Sequence, residues 1–192
     1  MLQILLSSAI ALGASGAVEV PCNTAAANSH RDRATDLYRQ ERLSDAINEL
    51  NQAVSACATE PFFRFMLANA LYRANRLQES KASYQAAVER QPTYFEARMS
   101  LGFTLFELGE RDDAVKHWLS AMQLKTDSAF ARAALAVGLF STGDVENALM
   151  QYEQAILRDP RYADAKALSL DIRWKPAILK TLSQLKELFQ TQ

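Results

Sequence analysis

The sequence predicts an all-α fold in which one helix–turn–helix unit is written four times and stacked in a row. Three observations carry that prediction. Apolar residues recur at three- and four-residue steps in blocks of helical length, a short polar break divides each pair of blocks, and sliding the chain along itself by 34 residues brings like residues into columns. The segments "SKASYQAAVERQPTY" (80–94) and "ALMQYEQAILRDPRY" (148–162) show the period most plainly. Both place a small residue, then Tyr four later, then Ala three after that, then Pro five further on.

The columns explain how the units pack. Ala34, Ala68, Gly102 and Ala136 form one small column; Ala46, Ser80, Ala114 and Ala148 form a second; Ala53, Ala87, Ala121 and Ala155 form a third. Two amphipathic helices joined by a short turn lie antiparallel, and small side chains at their crossing let the axes approach at the short end of the usual spacing. A fourth column, Leu50, Tyr84, Trp118 and Tyr152, holds only large residues and is expected to plug the space between neighbours.

In chain order, residues 1–17 open with "MLQILLSSAIALGASGA", apolar and without charge, ending in small residues. The run is too short for a spanning helix of about 20 residues and predicts an export signal cleaved near Ala17. An uncleaved membrane anchor and a core helix are the alternatives, because no Lys or Arg precedes the apolar stretch. Residues 18–26 form an N-terminal segment, and the units are placed at 27–60, 61–94, 95–128 and 129–162. Pro61 opens a helix where its missing N–H costs nothing, and Pro92 and Pro160 stop helices. Ala74-Asn75-Arg76 marks the break within the second unit, and Gly109 and Gly143 supply left-handed helix ends in the third and fourth. Residues 163–192 keep the register but set Leu182 and Phe189 in the small columns, which predicts a degenerate fifth hairpin capping the stack.

At these positions the chain resembles the tetratricopeptide repeat family. The residues that carry the resemblance are Leu101-Gly102, Ala114 and Ala121 in the third unit, and Leu135-Ala136, Gly143-Asp144, Ala148, Tyr152, Ala155 and Asp159-Pro160 in the fourth. The first unit departs most, with Arg33 where the family prefers Leu and Ala58 where it prefers Pro. The resemblance implies a right-handed α-solenoid whose first helices line a concave groove, and a noncatalytic adaptor or scaffold that binds protein or peptide partners.

Carried onto this sequence, the groove collects an aromatic column, Tyr38, Tyr72, Phe106, Phe140 and Trp174, with Arg31, Phe65 and Met99 in one neighbouring column and Asn69, Phe103 and Val137 in another. Phe62, Met66, Arg73 and Phe130 complete the expected wall. Aromatic and Met side chains are favoured anchors of interaction surfaces. The expected ligand is therefore an amphipathic helix or apolar peptide, with Arg31, Asn69 and Arg73 orienting it. An aromatic column can equally be half packed against the next helix, and the tail helix "ILKTLSQLKELF" can lie in the groove instead of capping the stack. Clamping of a chaperone's terminal carboxylate, the best understood ligand mode of the family, is not expected: Arg31 matches it, but Thr35, Phe65, Glu96 and Ser100 do not.

A further column, His30, Arg64, Arg98, Arg132 and Lys166, is basic in every unit. It is expected to pair with acids of the preceding unit or to be solvated, since such pairs are common and weak. Cys22 and Cys57 are an even count that fits one disulfide in an exported protein or two buried thiols in a reducing compartment. In the antiparallel hairpin that the resemblance implies, they flank the start of the first helix and the end of the second, which favours the bridge.

The remaining chemistry is sparse. A near-even charge balance, 21 basic against 22 acidic residues, gives no general attraction to nucleic acid or an anionic membrane. His30 and His117 stand in no metal-ligand pattern, and no phosphate-cradling glycine loop, nucleophile elbow or cofactor motif is present. Besides the adaptor, the sequence leaves open a self-assembling or membrane-anchored scaffold and, remotely, an enzyme.

Overall fold

The computed structural model describes residues 22–164 and 174–191. Within them, four antiparallel helix pairs follow one another: α1 (Thr24–Arg39) with α2 (Leu43–Ala56), α3 (Pro61–Arg73) with α4 (Leu77–Arg90), α5 (Phe95–Glu107) with α6 (Arg111–Leu124), and α7 (Ala129–Thr142) with α8 (Val145–Arg158). A 3-10 turn (Pro160–Ala163) follows, and α9 (Pro176–Gln190) closes the chain. No strand occurs among the described residues. The second helix of each unit packs against the first helix of the next, which makes a solenoid rather than a closed bundle.

The expected columns form the core. Ala46, Ser80, Ala114 and Ala148 are fully buried, as are Ala53, Ala87, Ala121 and Ala155, while Leu50, Tyr84, Trp118 and Tyr152 fill the gaps between helices. Trp118 shows the fit at its tightest. A Cβ on Gly102 would meet its Nε1 at 2.3 Å, one on Gly138 would meet its ring at 3.0 Å, and the indole N–H donates to the Met99 carbonyl at 3.1 Å. Two helices thus give up their side chains to admit one indole.

The turns repeat as well. Glu41, Asn75, Gly109 and Gly143 all take positive φ, at 61°, 57°, 82° and 91°, and lie one period apart. The left-handed residue that Gly109 and Gly143 announce is therefore required in every unit, and the first two meet it with side chains that tolerate it less well. At the N terminus α1 begins at Thr24, ahead of the unit boundary expected at residue 27, because the Asn23 side chain caps it by accepting from the Ala26 N–H at 3.1 Å. Beside that cap, Cys22 is disulfide-bonded to Cys57 at the C-terminal end of α2, and the Asn23 N–H donates to the Ala56 carbonyl at 2.8 Å.

The tail departs from the expected cap. In the 34-residue register α9 would be the second helix of a fifth unit and would pack on the first helix of that unit, as α2, α4, α6 and α8 pack on theirs. Instead it runs over α7, reaching back to α5 at one end and touching α8 at the other. Leu182 and Phe189 explain the departure, since they stand where close crossing needs Ala; Leu182 is buried, and Phe189 packs edge-on against Tyr152 at 5.5 Å. The segment expected to form the first helix of that hairpin, and the leader at 1–17, lie outside the described residues.

Candidate functional site: the concave face

The first helices α1, α3, α5 and α7 carry the residues expected to line the groove, and the two ends of the stack treat them differently. In the first two units the wall is accessible: Phe62 is 38% exposed, and Arg31, Tyr38, Phe65, Met66, Asn69 and Arg73 are half-buried. Several already have partners. The Arg73 guanidinium lies 4.7 Å from the Tyr38 ring centroid and pairs with Glu41 across the unit boundary. Phe65 stacks obliquely on Tyr94 at 5.1 Å and on Tyr84 at 5.9 Å. The Tyr84 hydroxyl donates to Asn69 Oδ1 at 2.5 Å, so that oxygen is not available to orient a peptide. Arg31 donates to Asn28 at 2.9 Å and pairs with Asp32 at 2.7 Å.

In the third and fourth units the expected wall is not a free surface. Met99, Phe103 and Val137 are fully buried, Phe106 is nearly so, and Phe130 and Phe140 are half-buried. The cause is partly the core itself, since Phe103 and Phe106 both pack on Trp118, at 5.1 and 5.9 Å. The rest is the tail: Trp174 stands edge-on over Phe103 at 5.3 Å and over Phe130 at 6.1 Å, with Tyr162 at 6.1 Å on another side. Tyr72 is buried too, and the Lys175 ammonium sits 4.1 Å above its ring centroid. Among the described residues, the concave face is therefore accessible around Tyr38, Phe62, Phe65 and Met66 and covered by its own chain from Tyr72 onward.

Electrostatics follow from this packing. Burial pushes the Glu107 carboxyl up, only partly countered by the Lys175 charge, and burial pushes Lys175 down. Burial, and then the charges of Glu96 and Glu60, raise the Tyr94 hydroxyl to about 12. Glu96 is itself paired with Lys125 at 2.9 Å.

Three members of the basic column meet local partners within their own unit or the preceding turn rather than acids of the preceding unit, while Arg64 Nε is buried with no hydrogen-bond partner among the described residues. His30 meets Glu49 at 2.7 Å, Arg132 donates to Gln151 at 2.7 Å, and Arg98 donates to the Pro92 carbonyl at 2.5 Å. Lys166 lies outside the described residues. His117 is pushed down, by burial first and by Arg98 next. Among the described residues no group of His, Cys, Asp and Glu could hold a metal ion, and no helix is long and apolar enough to cross a membrane.

Trp174 belonged to the aromatic column by spacing alone, so the sequence held the signal for its place on the inner face. Lys175, Glu107 and Tyr162 carry no such signal, because their roles arise only when α9 crosses the register.

The family model for the tetratricopeptide repeat matches residues 65–129, which span most of the second and third units. Residues 65–129 are tetratricopeptide repeats, and the helix pairs on either side carry the same fold. Solved structures of this repeat class superpose along much of the chain. MamA (41-end) from Desulfovibrio magneticus RS-1 aligns with a TM-score of 0.68 at 16% identity, covering 86% of this chain and 96% of that one. YrrB, a tetratricopeptide protein with an unusual peptide-binding site, aligns at 0.65 and 17%, covering 86% and 89%. The first such domain of Spaghetti (RPAP3), bound to the HSP90 peptide SRMEEVD, aligns at 0.60 and 18%, covering 62% and 95%. At these identities the likeness concerns the fold. No curated protein matches.

Proposed function

We propose that this tetratricopeptide repeat protein is a noncatalytic interaction scaffold that holds an amphipathic helix or apolar peptide of a protein partner on its concave face. The carrying observation is the accessible wall of the first two units, where Tyr38, Phe62, Phe65 and Met66 stand beside Arg31 and Arg73. Rings and thioether there supply apolar area at low entropic cost, and the guanidinium groups at its margin suit carboxylates or backbone carbonyls. Peptide binding by YrrB and by the Spaghetti domain supports a peptide or protein ligand for this one. The acidic peptide of the latter is not the expected ligand here, since Phe65 and Glu96 stand where that mode needs polar or basic groups.

The scaffold is proposed to work outside the cytoplasm. The disulfide between Cys22 and Cys57 supports an oxidising compartment, and the apolar, uncharged opening of the sequence supports export. Mass spectrometry of the exported chain without reduction is expected to show the bridge and the loss of the leader. Two free thiols would remove this part of the proposal.

The binding reading is tested with a photocrosslinking side chain at position 62 and, as a control, at Gln85 on an exposed face of α4. Position 62 is expected to trap a distinct partner, and Phe62→Ala or Tyr38→Ala to weaken that capture about tenfold with the melting temperature kept. The same proteins trapped from both positions would overturn it.

A further inference from the structure

The inner face of the third and fourth units has the chemistry of a ligand site, and α9 lies in it. Trp174 fills a socket of Phe103, Phe130 and Tyr162, and Lys175 spans the Tyr72 ring and Asn75 Oδ1, which it reaches at 3.2 Å. Pro176 starts the helix immediately after, and Ile178, Leu182 and Leu185 bury one stripe at three- and four-residue steps. An aromatic, a cation and an amphipathic helix thus enter the groove in that order. This is how a helical ligand docks in a groove.

Two observations separate this contact from an ordinary cap. First, the socket is built from the repeat units themselves, and its columns continue toward the first unit: Phe130 stands in one register with Phe62, which is exposed, and Tyr72, which lies under Lys175, stands in one register with Tyr38, which is half-buried. Second, the tail fits the charged corner imperfectly. Glu107 Oε1 is buried with no hydrogen-bond partner among the described residues, although the Lys175 charge is near enough to act on it. Lys175 places its ammonium on Asn75 and, among the described residues, makes no hydrogen bond to Glu107 Oε1. A forked guanidinium at that point could serve both oxygens, of Asn75 and of Glu107.

We propose that α9 is an intramolecular stand-in for a partner segment: the groove of the third and fourth units binds a helix led by an aromatic and a basic residue, Arg in preference to Lys, and the tail occupies it until such a segment displaces it. The proposal rests on the interaction-scaffold function and extends it to the second half of the groove. Because the tail and the partner compete for one surface, the affinity seen from outside is lowered by the fraction of time the tail is docked.

The probe is a fluorescent synthetic peptide of residues 174–191, titrated into the full chain and into the full-length double variant Trp174→Ala, Lys175→Glu. The double variant is expected to bind it about tenfold more tightly than the unmodified chain, because its own tail competes less well. A peptide carrying Lys175→Arg should bind more tightly again. Hydrogen exchange of the unmodified chain supplies the second measurement: α9 amides should exchange faster than those of α7, and the peptide in excess should speed them further. Equal peptide affinity in the two chains overturns the proposal, as does α9 protection equal to that of α7 whether or not the variant folds. A concentration-dependent dimer of the double variant in light scattering would assign the socket to a second copy and overturn it likewise. Loss of capture at position 62 moves none of these readouts, so the two proposals fail separately.

Discussion

The first and last pairs of units share one 34-residue frame yet are held in different ways. At the N-terminal end the small column meets Leu50 and Tyr84, the left-handed turns are occupied by Glu41 and Asn75, a disulfide closes the first hairpin, and the Arg73–Glu41 ion pair links it to the second. At the C-terminal end Trp118 is wedged between glycine helices, glycines occupy the turns, and α9 covers the inner face. A solenoid is stabilised by neighbour contacts, so each end can be secured by its own device without altering the frame. The consequence is an asymmetry of the inner face: at the covalently tied end Tyr38 and Phe62 stay accessible, and at the end with the larger apolar core the tail covers Phe103 and Phe130.

The largest effect that would break this comparison is expected from Trp118→Ala. The indole is fully buried between α5 and α7, and neither Gly102 nor Gly138 has a side chain to fill the space left behind. Truncation of such an aromatic costs about 3–5 kcal/mol. Denaturant unfolding followed by hydrogen exchange should show the third and fourth units opening first while α1 to α4 stay protected. Uniform loss of protection along the chain would mean that the two ends are not separately secured.

Next in size is removal of the bridge by Cys22→Ser with Cys57→Ser. The cysteines are 35 positions apart, and on the chain-entropy model closing a loop of that length contributes about 4 kcal/mol, with typical measured values of about 2–4 kcal/mol. Here the expected loss is confined to α1 and α2, so the first unit should melt at lower temperature than the remainder. If the double variant melts as the unmodified protein does, the covalent tie contributes nothing and the N-terminal end is held by packing alone.

Much of this asymmetry was legible in the sequence, and what was not has a physical cause. The helix pairs, the buried columns and the cysteine pairing follow from residues that repeat or from neighbours within one hairpin, such as Ala53 with Cys57, so local spacing suffices to place them. The placement of Phe62, Phe65 and Met66 on a first helix follows from the same spacing. The burial of Phe103, Met99 and Val137 does not, because it depends on where a segment more than one unit away comes to rest. Periodicity places Trp174 on an inner face, but no local pattern sets Lys175 against Tyr72 and Asn75, about three periods earlier in the chain. The bulky Leu182 and Phe189 signalled only that close crossing would fail.

The smallest effect sharpens the comparison at a single turn. Glu41 holds a φ of 61° where the third and fourth units use glycine. A side chain in that conformation costs roughly 1–2 kcal/mol, whereas Glu41→Gly adds unfolded-state entropy of roughly 0.4–1 kcal/mol and gives up the exposed pair with Arg73, worth roughly 0–1 kcal/mol. The balance favours glycine by about 0.3 kcal/mol at the midpoints of these magnitudes, and Arg73 keeps its place over the Tyr38 ring. Glu41→Ala separates the two contributions: it loses the same ion pair while retaining the strained backbone, so it should be less stable than both the unmodified protein and Glu41→Gly. Urea titration of the three chains decides the matter by their order. If glycine proved no more stable than alanine at this position, the turn would carry no strain, and the occupancy of the left-handed column would have to be explained by the Arg73 pair instead.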